Sequence, residues 1–302
     1  MKRREFLKVA GTAAGACALS QTSIFSMEYT NTLAPASEVA GMPRRVLGRT
    51  GEHLSLIGFP GLALVHDRYD QNRCTAALHQ AFDRGVNYFD VAPAYGAGKC
   101  ETRMGIGLQG IDRSKIFLAC KTKKRDKEGS RQELENSLKL LKTDHFDLYQ
   151  MHHIRSVEEV QQALGPGGAL ETFLEAKKEG KVKYFGLATP EHDQNSVIDL
   201  MRRGLIDVVS VIYNIFEQEP AAELLPVAQE CNVGIIGRVA FDESSLTGKL
   251  TKDITFEEDD FRNAYFSGDR LSRTVDRVEK LKEEMQDTGL SLAQIALQFV
   301  LA

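Results

Sequence analysis

The sequence predicts an α/β chain of the (β/α)8 barrel class, and three observations carry that expectation. From Arg45 onward, short apolar runs alternate with helix-length amphipathic segments about every thirty residues, as successive βα units do. Several of those runs end on reactive side chains. Phe89 leads into Asp90 and then Tyr95, Phe117–Cys120 into Lys121, Phe146–Met151 into His152, and Phe185–Ala188 into Thr189. Chemistry gathered at successive strand ends is the habit of barrels whose site lies on the C-terminal face. Finally, 302 residues are enough for one such domain with a sizeable core.

The chain opens with an address rather than a fold element. Lys2-Arg3-Arg4-Glu5-Phe6-Leu7-Lys8 is a twin-arginine pattern, and Val9–Ser20 behind it is modestly apolar. That run of about a dozen residues is too short, and too rich in Gly, Ala and Thr, to anchor a chain in a bilayer. Residues 1–36 therefore read as a twin-arginine (Tat) signal peptide with its linker, cleaved after Ala18 or after Ala36. The Tat export machinery is the expected partner, and the periplasm, or another exported location, the expected destination. This route carries proteins already folded, often with a cofactor inside. Residues 21–44 are polar and poor in large apolar groups, so they read as linker up to a barrel domain at 45–302.

Within that domain Leu54–Phe59 reads as the first strand. Asn72–Arg84 is a helix, because Cys74, Ala77, Leu78, Ala81 and Phe82 share one face and Gly85 stops it. Val86–Val91 is the second strand and Ile116–Cys120 the third. Ser130–Leu141 is a helix, with Ser130 as N-cap and Glu133 completing a capping box. The fourth strand ends at His152. Helix Gly168–Glu179 closes at Gly180, and Val182–Leu187 is the fifth strand. Asp207–Ile212 and Val233–Ile236 are the sixth and seventh, followed by helices Leu271–Asp287 and Ser291–Leu301. Seven strands are read and the sequence stops inside that last helix, so either one strand goes unread or the barrel lacks its final strand–helix unit, a truncation that would leave two strand edges open.

Composition narrows the function classes. Net charge is −4; residues 1–36 hold four basic and two acidic side chains, so the remainder carries −6. That balance offers no electrostatic footprint for nucleic acid or an anionic membrane. Five cysteines, Cys17, Cys74, Cys100, Cys120 and Cys231, lie far apart with no ligand spacing, which argues against a zinc site or a disulfide framework. Asp90 and His152 lack the His-x-His or carboxylate cluster of a metal-dependent hydrolase, so no metal is expected. Phe256, Phe261, Tyr265 and Phe266 are candidate pocket walls, although aromatics at such spacing are more often packed core.

With those residues in view, the chain resembles the aldo/keto reductase family from about Arg45 to Ala302. The marks are Arg45–Gly51, Phe89–Gly96, Glu101–Gly105, Asp147–His152, Gly180–Gly186 and Leu246–Lys249, in that order. The resemblance implies a TIM barrel and hydride transfer between NADP(H), with NAD(H) as the alternative, and an aldehyde, ketone or sugar carbonyl. It places the catalytic tetrad on Asp90, Tyr95, Lys121 and His152. In that reading Tyr95 is the general acid/base, and a phenol of pKa about 10 needs help to give up its proton. Lys121 supplies that help by stabilising the phenolate, Asp90 holds Lys121 charged, and His152 polarises the carbonyl oxygen. His153 competes for the last place. Strand alternation sends the two rings to opposite faces, and the family's spacing from Asp147 selects His152.

The implied cofactor-binding positions are Thr189, Ser210, Arg238 and Phe241. Ala188-Thr189 stands where Ser-Asn is usual, Ser210 where Gln is usual, and Arg238 where a Tyr commonly stacks on the nicotinamide. Arg238 would stack through its guanidinium or pair with a phosphate. Family members generally continue into an eighth unit that grips the 2′-phosphate of NADPH. The tetrad therefore favours an enzyme, with a small carbonyl or alcohol as substrate. The departures favour a reductase-like binding or regulatory protein with little turnover, or an inactive truncated fragment. A cofactor carried into the periplasm is expected to stay bound and be recycled between two substrates.

Overall fold

The computed structural model describes residues 37–190, 193–258 and 260–302, so the expected signal, residues 1–36, lies outside the described residues. Two compact units are found. One runs to Val211 and takes in Pro220–Ile236; the other comprises Ile212–Glu219 and Gly237–Ala302.

The first unit begins with three antiparallel strands, β1 Ser37–Val39, β2 Met42–Val46 and β3 His53–Ser55. Residues 37–44 were expected as linker. They form a hairpin because Ala40 and Gly41, at φ 52° and 78°, make the two-residue turn that matches strand twist. The expected single strand Leu54–Phe59 is also two elements: β3 ends at Ser55, and β4, Phe59–Pro60, joins a different sheet. Asn87 causes the break. Its Oδ1 accepts the Ser55 amide at 2.7 Å and its Nδ2 donates to His53 O at 2.9 Å. The Ser55 hydroxyl donates to Ile57 O at 2.8 Å.

The second sheet has seven strands in sequence order: β4, β5 Tyr88–Asp90, β6 Phe117–Thr122, β7 Phe146–Met151, β8 Val182–Ala188, β9 Val208–Ile212 and β10 Gly234–Arg238. The pairs from β4 through β9 are parallel. Parallel strands in sequential order with helical crossovers are the connectivity of a (β/α)8 barrel. Each apolar run read from the sequence for strands two to seven is present, shifted by a residue or two. Lys121 registers with Gln150, and Gln150 with Gly186, so these three share a face of the sheet. Tyr88, Phe117, Ala119, Leu148 and Val208 form the core beneath them, with Leu47 and Leu54.

Helix starts follow side-chain reach. Helix Gln71–Asp83 is capped by Asp70, which accepts the Arg73 amide at 2.7 Å, and it buries Cys74 and Leu78. Helix Lys127–Leu141 begins earlier than the expected Ser130, because the Asp126 carboxylate accepts the Gly129 amide at 2.6 Å. Ser130 lies inside the helix, its hydroxyl donating to Lys127 O at 2.9 Å. Glu133 is spent on the Lys123 amide, at 3.1 Å, rather than on a capping box. A helix not read from the sequence, Val157–Leu164, follows β7.

At the start of β7 the buried Asp147 carboxylate meets Arg113 at 2.7 Å and Lys183 at 2.6 Å, and accepts the Leu118 amide at 2.9 Å. Burial alone would raise its pKa; the two cations and the amide outweigh that and hold it below the usual carboxylate value.

The second unit packs helices Arg270–Met285 and Leu292–Leu301 around Leu246, Val278, Leu281, Ile295 and Phe299. Here the capping box is real: Ser291 Oγ accepts the Gln294 amide at 3.3 Å, and Gln294 Oε1 accepts the Ser291 amide at 2.9 Å. Phe266 is buried with Leu250 and Val275, and Phe256 and Tyr265 pack against them, whereas Phe261 is exposed. No helix among the described residues is long and apolar enough to cross a membrane.

Candidate active site

Four strand ends and turns of the first unit place the expected tetrad together. Asp90 closes β5, Tyr95 sits in the turn behind it, Lys121 is the penultimate residue of β6, and His152 follows β7 directly. Lys121 is only 5% exposed, so its ammonium needs partners to remain charged. It has an ion pair with Asp90 Oδ1 and donates to Val91 O at 3.1 Å. Burial pulls its pKa down, but the Asp90 carboxylate and the Tyr95 phenol outweigh burial and leave it above the ordinary lysine value.

The second Asp90 oxygen accepts the Tyr88 hydroxyl at 2.8 Å. Burial, then the neighbouring Asp90 charge, push the Tyr88 phenol well above its usual value, so it stays a donor and keeps the carboxylate oriented. Tyr95 is the common neighbour of Lys121 and His152. Lys121 Nζ lies 5.1 Å from the Tyr95 ring centroid, and the His152 ring meets it edge to face, with centroids 5.5 Å apart. A buried cation, its counter-ion, a phenol and an imidazole thus converge at the C-terminal ends of adjacent parallel strands.

The alternation argument that separated His152 from His153 is corrected by the backbone. β7 ends at Met151, so strand alternation ends there too. His153 adopts φ 52° and turns the chain, and the two rings lie 6.4 Å apart rather than on opposite faces of a strand. His152 is half-buried and His153 exposed.

The expected cofactor positions are placed less uniformly. Thr189, just past β8, is fully buried, and its hydroxyl donates to Gln194 Oε1 at 2.9 Å. Its amide donates to Ser210 O at 2.9 Å, and Ser210 lies buried in β9, where it registers beside Ala188. Arg238 closes β10 half-buried, and Phe241 packs partly buried against the Leu246 cluster; both belong to the second unit. Among the described residues, no group of His, Cys, Asp and Glu is assembled that would hold a metal ion.

Two residues at the site went unread in the sequence. Gln150 is fully buried beside Lys121 in register, and neither atom of its amide has a hydrogen-bond partner among the described residues. Counting back two from His152 along the strand would have found it. Arg125, 9% exposed, donates to the carbonyls of both His152 and His153. Nothing local in the sequence marks it, because its contacts lie far away in the chain.

The chain is similar to known proteins in sequence and fold. The profile of the Aldo/keto reductase family matches residues 56–302. Aldo-keto reductase YhdN of Bacillus subtilis (strain 168) is 28% identical over 270 residues, covering 83% of this chain and 79% of that protein. Among solved structures, the glycerol dehydrogenase AKR11B4 from Gluconobacter oxydans superposes with a TM-score of 0.67 at 22% identity, covering 83% of this chain and 80% of that one. An aldo-keto reductase from Klebsiella pneumoniae in complex with NADPH gives 0.60 at 20% identity, covering 83% and 78%. With the family profile spanning most of the chain, and a (β/α)8-type sheet beneath the matched residues, the chain belongs to the aldo/keto reductase family.

Proposed function

We propose that the chain is an oxidoreductase that transfers a hydride between NADP(H) and an aldehyde, ketone or sugar carbonyl, with Tyr95 as general acid/base. The observation that carries this reading is the buried Lys121, ion-paired to Asp90 and set beside the Tyr95 ring. The NADPH complex of the Klebsiella pneumoniae relative supports NADP(H), while the NADH-specific methylglyoxal reductase of Escherichia coli, 23% identical, keeps NAD(H) as the alternative. NADPH, when bound, supplies the hydride. Taken unit by unit, the residues suit parts of such a group: in the first the Ser210 hydroxyl suits an amide, and in the second the Arg238 guanidinium suits a phosphate or a flat ring and Phe241 an apolar surface. Thr189 braces the end of β8 through Gln194.

The chain's own residues manage the proton. As the carbonyl oxygen gains negative charge, Tyr95 donates its hydroxyl proton to it. Lys121 stabilises the phenolate that remains, Asp90 keeps Lys121 charged, and Tyr88 holds Asp90 in place. His152 polarises the same oxygen, a role that its T-shaped contact with the Tyr95 ring supports. Tyr95→Phe is expected to lower kcat by about 10²- to 10⁴-fold. A fluorescence titration should show NADPH affinity unchanged in the same variant. Wild-type turnover in Tyr95→Phe would refute the assignment.

A second reading, a reductase-like binding or regulatory protein with little turnover, is favoured by the engagement of Thr189 with Gln194. It predicts saturable NADPH binding with equal, near-zero turnover in both proteins. The twin-arginine pattern at Arg3-Arg4 supports export, with the cofactor carried out bound. Recovery of the exported protein without nucleotide would count against a carried cofactor, and cytoplasmic retention of a reporter fused to residues 1–36 against export.

A further inference from the structure

We propose that Arg125, locked by Glu159, is a positioning residue that sets the His152 ring against Tyr95. The inference rests on the reductase reading of His152. β7 gives out at Met151, so beyond that residue the ladder of the sheet no longer holds the backbone. On one side the His152 amide still donates to Thr122 O at 2.8 Å. On the carbonyl side Arg125 takes over: its Nη2 donates to His152 O at 2.8 Å and to His153 O at 3.1 Å. Two consecutive carbonyls can face one nitrogen because His153 turns the chain at φ 52°, a conformation that costs energy in a non-glycine residue. The guanidinium therefore holds a bend that the chain would not otherwise favour.

Arg125 is itself fixed. Glu159 Oε2 accepts from Nε at 3.1 Å and from Nη2 at 3.0 Å, compensating a charge that is 9% exposed. The same oxygen accepts the Arg155 amide at 3.3 Å, and Ser156 caps the helix that carries Glu159. The Arg125 carbonyl accepts the Ala169 amide at 2.8 Å. Thus one carboxylate and one guanidinium join the ends of β6 and β7 to the helix Val157–Leu164. The residue they surround is the one whose ring meets Tyr95 at 5.5 Å. A planar donor with several N–H groups suits this place, and a lysine would reach it only as a point charge.

The test compares wild type, Arg125→Met, Arg125→Lys and Glu159→Gln in the full chain. One readout is the nuclear Overhauser contact between the His152 and Tyr95 ring protons, which requires no turnover. The other is NADPH-dependent reduction of a small aromatic aldehyde, with kcat and KM separated. Arg125→Met should lose the ring contact and lower kcat by about ten- to a hundredfold, as a misplaced group does, with NADPH affinity unchanged. Arg125→Lys should restore little of either, and Glu159→Gln should fall between. Retention of the ring contact in Arg125→Met, or full recovery by Arg125→Lys, would overturn the proposal. If Arg125→Met does not fold, the ring contact in Glu159→Gln decides: weakened supports positioning, unchanged refutes it. A wild-type chain without turnover removes the reductase reading, yet the ring contact still decides the role of Arg125.

Discussion

Asp90 and Lys121 form a pair whose stability and chemistry can be separated by a double-mutant cycle. Asp90→Asn removes the counter-ion of an ammonium that is 5% exposed and keeps its hydrogen bond to Val91 O. Stranding one buried charge costs about 3–5 kcal/mol. Lys121→Met strands Asp90 instead, but that side chain is 20% exposed and still accepts from Tyr88, so the cost is about 1–2 kcal/mol. The double variant leaves no uncompensated charge and is expected within about 2 kcal/mol of wild type, which implies a coupling of about 3 kcal/mol. Urea unfolding at neutral pH reads these differences. Because Lys121 is raised above its ordinary 10.5 in the fold, its contribution is fully present below that pH and is lost as pH climbs through the folded value. In Asp90→Asn the counter-ion that outweighs burial is gone, so the folded Lys121 loses its proton below its ordinary value. The penalty should therefore be largest at neutral pH and shrink as pH rises toward that value, where wild type is still flat. All three variants should lose carbonyl reduction, the stable double variant included. If Asp90→Asn unfolds within about 1 kcal/mol of wild type, or the double variant is no steadier than Asp90→Asn, the charge-compensation argument is wrong.

Glu101, fully buried and facing Cys120 Sγ at 3.7 Å, has its carboxyl raised by burial. A raised acid stabilises the fold below its ordinary 4.5 and loses that contribution as pH rises through the folded value, so Glu101→Gln should gain on wild type with increasing pH; parallel stability–pH curves would contradict this. A Cβ at Gly105 would stand 2.2 Å from Leu140 O in the neighbouring helix, so Gly105→Ala should cost at least about 1–3 kcal/mol by calorimetry; an unchanged melt would mean that the helices are not in such close contact. Ser291→Ala removes the acceptor of a capping box and should cost about 1 kcal/mol, with fraying of Leu292–Leu301 visible as faster amide exchange at Gln294; unaltered exchange would show that the cap does not hold that turn.

What was legible in the sequence was what periodicity and residue type encode. The apolar runs that became β5 to β10 announced themselves, and Asp90, Lys121 and His152 at the ends of three of them are brought together with Tyr95, whereas Thr189 is engaged by Gln194. The hairpin at Ser37–Val46 was hidden because its strands are short and polar, and its turn depends on backbone angles at Ala40 and Gly41. The division of Leu54–Phe59 followed from Asn87, thirty-two positions from Ser55. Ser130 looked like a helix start because two acceptors compete there, and Asp126 wins by reaching Gly129. The support of His152 was invisible for the same reason as Asn87: Arg125 and Glu159 are thirty-four residues apart and meet only in the fold.

The buried carboxylate at the start of β7 has a reach beyond its own surroundings. Asp147 takes the Leu118 amide from β6 and the Lys183 ammonium from β8, so it fastens three neighbouring strands in one relative alignment. Side chains alternate along a strand, and a slip of a single residue would turn Lys121 away from the face it shares with Gln150. Aim at the reactive end is thus calibrated from the opposite end of the strands, by a group that never meets a substrate. Substitutions around Asp147 would then disturb chemistry without touching it, through the phase of the sheet.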